Sequence, residues 1–159
     1  MAVTARVTAE EDKDCVMKLV IQRVAHAKVS VDGETVGAIG KGYLVLFGAG
    51  EADTEADCER LAKKMIGLRI FADENGKTNL SLKAVDGELL IISQFTLYAD
   101  CSSGNRPSFT QAMGAEEAER LYEYFCWLCA REIHVEKGVF GADMKVELLN
   151  DCPFTVILE

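Results

Sequence analysis

The sequence predicts a single α/β domain whose mixed or antiparallel sheet curls into a barrel-like layer with two main helices, in the order β-β-β-α-β-α-β-β. Three observations predict it. Short β-branched runs bounded by glycine occupy the first and last parts of the chain. Two longer segments carry apolar residues at helical spacing. No Gly-x-Gly-x-x-Gly pattern and no phosphate loop marks a nucleotide-binding parallel sheet. A chain of 159 residues is long enough to bury a real core. It carries no internal repeat or low-complexity tract.

Lys18 to Val24 is β-branched and apolar, which makes it a strand. Ala27 to Val31 alternates, Asp32-Gly33 supplies a turn, and Thr35 to Ile39 returns as the second arm of a hairpin. Tyr43 to Phe47 is continuously apolar between two glycines, as in a fully buried strand. Thr54 to Ile70 opens with Thr54 three residues before Asp57, a capping-box start, and spaces Cys58, Leu61, Met65 and Leu68 helically. Asp73 to Gly76 is a turn, and Asn79 to Val85 is an irregular link. Glu88 to Tyr98 is the longest strand candidate. Asp100 to Pro107 is a loop, and Gly114 to Glu132 is a second amphipathic helix with Ala118, Leu121, Phe125 and Leu128 on one face. Asp143 to Leu149 and Phe154 to Leu158 are final strands joined by a turn at Asn150-Asp151-Cys152-Pro153.

The net charge of −9 argues against a sequence-blind nucleic-acid binder, which needs many phosphate contacts. It leaves room for a local basic rim that takes one end of an RNA. Lys63, Lys64 and Arg69 are candidates, as are Arg106, Lys137 and Lys145; ordinary solvated charge is the competing reading. No apolar run approaches the roughly 20 residues that span a bilayer. Residues 1–16 lack the apolar region of a secretory signal and read as a polar, disordered extension, with the domain running from 17 to 159. The chain is accordingly expected to be cytoplasmic, away from membranes. Its six cysteines (Cys15, Cys58, Cys101, Cys126, Cys129 and Cys152) are then free thiols. Cys126-x-x-Cys129 falls in a helical pattern with no second ligand pair, so it reads as core rather than as a zinc or redox site.

Only two histidines are present, His26 and His134, and neither sits in a nucleophile–base pattern. No metal-ligand spacing occurs, and no cofactor is expected. The chemistry concentrates instead in Ser93-Gln94-Phe95-Thr96-Leu97, polar residues set in an apolar strand, and in Asn150-Asp151-Cys152-Pro153-Phe154-Thr155, where one of only two prolines precedes a β-rich tail. Polar groups and proline weaken a sheet, so they serve a site. Oriented main-chain N–H groups near Ser93, Gln94 and Phe95 can stabilise an oxyanion. The Thr96 hydroxyl either orients water, acts as a nucleophile or is an ordinary strand residue.

Ser93 to Asp100 resembles the signature of the D-aminoacyl-tRNA deacylases. So do Val20-Ile21-Gln22-Arg23-Val24, Asn105-Arg106-Pro107-Ser108-Phe109, Phe140-Gly141-Ala142-Asp143-Met144 and Asn150-Asp151-x-Pro153-x-Thr155. The likeness runs from about Met17 to Glu159. It implies a cytoplasmic, metal-free homodimer with active sites at the subunit interface. It implies cleavage of the ester between a D-amino acid and the 3′-terminal adenosine of tRNA, and action on mischarged glycyl-tRNA. Main-chain groups around Ser93, Gln94 and Phe95 would hold the substrate, with the terminal ribose 2′-hydroxyl assisting water; an older alternative makes Thr96 the nucleophile. A Gly-Pro pair with a cis bond, reaching in from the other subunit, would exclude L-amino acids. Arg23, Asn150 and Thr155 would support that gate, and Phe140 and Met144 would brace the pocket.

The chain departs from this pattern where Cys152 replaces the Gly and Phe154 a usual Val. Gly permits backbone angles that Cys resists. The gate then either persists with Cys152 pointing away, relaxes toward L-aminoacyl-tRNA, or tightens toward glycyl-tRNA. A thiol-dependent hydrolase or redox protein using Cys152 or the Cys126/Cys129 pair is the reading from a different class.

Overall fold

The computed structural model describes residues 3–7 and 16–159. The rest of the expected N-terminal extension lies outside the described residues. Within it, Val3–Val7 forms strand β1, which pairs in parallel with the last strand of the chain.

The hairpin expected near the start is built on one long strand, β2 (Lys18–Val31), which turns at Asp32-Gly33 into β3 (Glu34–Ile39). Asp32 and Gly33 both have positive φ, 51° and 80°, which the tight turn requires. Next comes β4 (Gly42–Gly48), antiparallel to β2 and buried along nearly all its length. Helix α1 (Glu55–Gly67) opens as expected: the Thr54 N–H donates to Asp57 Oδ2 at 2.9 Å. It ends three residues earlier than the predicted Ile70, since Leu68 is already extended with ψ 137°. Two short strands, β5 (Phe71–Ala72) and β6 (Thr78–Leu80), flank the predicted Asp73–Gly76 turn.

The Glu88–Tyr98 strand needs correction. Strand β7 covers only Glu88–Ser93 and pairs in parallel with β4; the chain then bends at Gln94 into a 3-10 turn over Phe95–Tyr98. The reason is tertiary. The Tyr98 hydroxyl lies 2.7 Å from the Val16 carbonyl and 2.9 Å from that of Gly48, and sharing its proton with them pulls the chain beneath the end of β4. Helix α2 (Ala115–Ala130) and the short β8 (Val135–Lys137) follow, β8 pairing in parallel with β7.

The two expected C-terminal strands are one, β9 (Met144–Leu158), antiparallel to β2 on both sides of a large irregularity. Asn150 faces Val24 and Thr155 faces Gln22, so Arg23 alone stands opposite residues 151–154. That stretch bulges out of the sheet instead of forming a turn.

The seven-stranded mixed sheet runs β1-β9-β2-β4-β7-β8, with β3 on β2. It curls until β3 lies against β8: a Cβ added at Gly37 would stand 2.8 Å from the Lys137 carbonyl. The helices cover one face, where Leu19, Ile21, Phe47, Leu61, Leu121 and Phe125 form the main core. Phe47 packs its ring 5.1 Å from Phe125 and 5.8 Å from Tyr122. Burying each such side chain contributes roughly 1.5–3 kcal/mol. A second cluster, including Val24, Val29, Ile39, Leu44, Leu90 and Ile92, fills the concave side. No helix of the described residues is long and apolar enough to cross a membrane.

Candidate active site

Ser93 closes β7 opposite Phe47 of β4, and the Gln94 N–H donates to the Phe47 carbonyl at 2.7 Å. Gln94 then leaves the strand with φ −148° and ψ 87°. Gly48 lets the 3-10 turn come this close: a Cβ there would meet Tyr98 Cε2 at 3.0 Å and the Gln94 carbonyl at 3.2 Å. The N–H groups of Phe95 and Thr96 begin the 3-10 turn and, as at any helix start, have no acceptor inside it. The Thr96 hydroxyl accepts a bond from Gln94 Nε2. Phe95 is exposed and meets Phe109 edge-on, ring centroids 5.0 Å apart.

A cavity of about 300 Å³ opens beside this bend. It brings together the predicted Ser93, Gln94 and Phe95 with the predicted Phe140 and Met144. Phe140 is steadied by Tyr122, 6.0 Å between ring centroids, whose hydroxyl donates to the Ile91 carbonyl at 2.6 Å. Gly141, at φ 76°, turns the loop between Phe140 and Met144. Phe47, Ile92, Met113 and Val146 add an apolar wall. The sequence marked none of these four, because each also satisfies an ordinary core pattern. Thr96 does not line the cavity.

One ionisable side chain lines it, Asp143, and its Oδ1 is 3.0 Å from Lys145 Nζ. Lys137 is likewise paired, with Glu123 at 2.6 Å, so two of the proposed basic-rim residues are charge-compensated. His134 sits at the far end of β7, with its Nε2 3.6 Å from Glu88 and 3.8 Å from Glu136, and His26 is exposed on β2. Among the described residues no three His, Cys, Asp or Glu side chains are placed to hold a metal ion. The cavity therefore offers the chain bend at Ser93 to Phe95 and an apolar surround, and its one ionisable side chain is paired with a lysine.

The second predicted group forms a separate structure in the same chain. Arg23 is buried, and three contacts fix its guanidinium. Nη1 donates to the Ile70 carbonyl at 2.5 Å, Nη2 donates to the Asp151 carbonyl at 3.1 Å, and the Phe154 ring lies 4.8 Å away. Nε is 3.4 Å from Asp151 Oδ2, an ion-pair contact without hydrogen-bond alignment. Asn150, Cys152 and Pro153 are exposed, and Thr155 is half-buried in the β2–β9 ladder. None of these lines the cavity. No described peptide bond is cis, so Cys152–Pro153 is trans, unlike the bond that the resemblance implies. Cys152 has φ 97°, a left-handed backbone that favours glycine.

Cys126 and Cys129 are buried in α2; burial pushes the Cys126 thiol up to about 12 and the Cys129 thiol up as well. This places them in the core, as their helical setting predicted, and leaves no reactive pair.

A solved structure described as a probable eukaryotic D-amino acid tRNA deacylase shares the fold with a TM-score of 0.79 at 17% identity, covering 89% of this chain and 97% of the other. Another, named c-Myc DNA Unwinding Element Binding Protein, has a TM-score of 0.83 at 41% identity over the same shares. The family described as D-Tyr-tRNA(Tyr) deacylase matches residues 20–159. Relatives named D-aminoacyl-tRNA deacylase are 55% identical in Clostridium novyi (strain NT) and 54% identical in Thermotoga petrophila, each over 90% of this chain and 97% of the relative. The chain belongs to the D-Tyr-tRNA(Tyr) deacylase family and, with it, to the hydrolases that deacylate aminoacyl-tRNA.

Proposed function

We propose that this protein works in the cytoplasm as a homodimer and hydrolyses the ester joining a D-amino acid, or mischarged glycine, to the 3′-terminal adenosine of tRNA. Water attacks the ester carbonyl carbon. The negative charge that develops on the carbonyl oxygen is held by the main-chain N–H of Phe95, which lines the cavity, worth roughly 3–4 kcal/mol in such a role. The bond to the ribose 3′ oxygen breaks, and the neighbouring 2′-hydroxyl passes the proton from the water to it. Free amino acid and tRNA with an intact 3′ end are released. No side-chain base is required, which agrees with a lining whose single ionisable group is paired with a lysine.

The observation that carries this reading is the meeting of Ser93, Gln94 and Phe95 with Phe140 and Met144 in one cavity of a chain from this family. Chiral selection is assigned to the Cys152–Pro153 bulge of a second copy. The bulge is exposed and stands apart from the cavity of its own chain, so it is free to close another's. There its carbonyls reject an L side chain while a D side chain points away. The φ of Cys152 supports a gate that keeps the glycine-like backbone despite the Cβ.

The test is release of amino acid from D-tyrosyl-, L-tyrosyl- and glycyl-tRNA, assayed side by side, with molecular mass measured by sedimentation. Rapid release from the D and glycyl substrates, slow release from the L substrate and a dimeric mass are expected. A folded protein that releases all three equally, or sediments only as a monomer, would overturn the gate.

A further inference from the structure

We infer that Tyr43 is a positioning residue for the Cys152–Pro153 gate. Its hydroxyl engages the Arg23 guanidinium, directly or through one bridging water, and so fixes the arm that carries Asp151. The inference rests on the gate reading above.

Tyr43 and Arg23 are paired directly across β4 and β2, so both side chains leave the same face of the sheet. Tyr43 is fully buried, and its hydroxyl has no hydrogen-bond partner among the described residues. A buried hydroxyl left unpaired carries its full desolvation penalty, which a leucine at this position would avoid. Arg23 Nε is, among the described residues, the other buried side-chain polar atom without an aligned partner. Two such atoms on a directly opposed pair are most simply satisfied by each other or by one shared water. Burial pushes the Tyr43 phenol above its ordinary range while the Arg23 charge acts in the opposite direction, so the phenol keeps its proton within the field of the guanidinium.

The ring does complementary work. Tyr43 stacks on Phe71, with 5.4 Å between centroids and 10° between planes. Phe71 follows Ile70, whose carbonyl accepts from Arg23 Nη1. Tyr43 thus bears on Arg23 from both sides, through its hydroxyl and through the segment that supplies the Ile70 carbonyl. Arg23 in turn holds the Asp151 carbonyl, one residue before Cys152. The polar residue in an otherwise apolar β4 acts through Arg23 and touches no substrate.

Tyr43→Phe keeps the ring stack and removes the hydroxyl. The ratio of D- to L-tyrosyl-tRNA hydrolysis is expected to fall roughly fivefold, the share of selectivity that one lost hydrogen bond carries. Pro153→Ala, measured alongside, lowers the ratio if the gate exists at all. A lowered ratio for Pro153→Ala with an unchanged one for Tyr43→Phe overturns the role of Tyr43 and leaves the gate standing. Unchanged ratios for both overturn the gate itself. Should Tyr43→Phe fail to fold, a high-resolution crystal structure of the unaltered protein decides. A Tyr43 hydroxyl linked to Arg23 directly or by one water supports the inference, and a hydroxyl bonded elsewhere ends it.

Discussion

Arg23 and Asp151, 128 positions apart, are joined twice: Nη2 donates to the Asp151 carbonyl at 3.1 Å, and Nε lies 3.4 Å from its carboxylate. The carboxylate is half-exposed, so that ion pair by itself contributes little. The bond to the carbonyl matters more, because it pins the backbone where the β2–β9 ladder is interrupted and the Cys152–Pro153 segment leaves the sheet.

Cys152→Gly should stabilise the protein. Cys152 holds φ 97°, where an L side chain is strained and glycine is not. The midpoint of urea unfolding should rise by the equivalent of about 1 kcal/mol. A lower midpoint would mean that the Cys152 side chain contributes contacts exceeding the backbone cost.

Gly48→Ala should damage the site from behind. The new Cβ would stand 3.0 Å from the Tyr98 ring and 3.2 Å from the Gln94 carbonyl, so the 3-10 turn must shift. A stability loss of about 1–3 kcal/mol is expected. The rate on D-tyrosyl-tRNA should fall further than unfolding explains, read as kcat on protein shown to be folded by circular dichroism.

Thr96→Ala separates the two proposals for that hydroxyl. It is exposed, bonded to Gln94 and outside the cavity lining. The variant should lose less than the roughly 100-fold that removal of a catalytic acid–base group brings. A larger loss in single-turnover hydrolysis would restore Thr96 to the chemistry.

Thiol labelling should divide the described cysteines by burial. Cys101 is exposed and reacts in the native protein. Cys58, Cys126 and Cys129 are buried, and the thiols of Cys58 and Cys126 are pushed up to about 12. At about pH 9 the buried three should therefore stay silent until the chain unfolds. Rapid native labelling of Cys126, followed by mass spectrometry, would contradict this and revive the thiol-dependent reading.

Much of the architecture was legible in local pattern. The Asp32-Gly33 hairpin, the Thr54–Asp57 start of α1 and the apolar Tyr43–Phe47 strand each follow from rules that act within a few residues. The break at Gln94 was legible only as a weak point at the Ser93-Gln94 pair, since Phe95 to Tyr98 has good strand composition. The hydroxyl of Tyr98 and the bare Cα of Gly48, 50 positions away, turn that stretch into a 3-10 bend.

By itself the sequence determined the fold class and the spacing of its motifs. Periodicity and residue type are local properties that the chain carries in any conformation. Only the tertiary structure decided which motifs meet. Ser93 to Phe95 joins Phe140 and Met144 in one cavity, while Asn150 to Thr155 stands apart on a bulge held by Arg23. The physical reason is that a β-bulge and a carbonyl-anchored turn are set by long-range hydrogen bonds, and those exist only once the strands have paired.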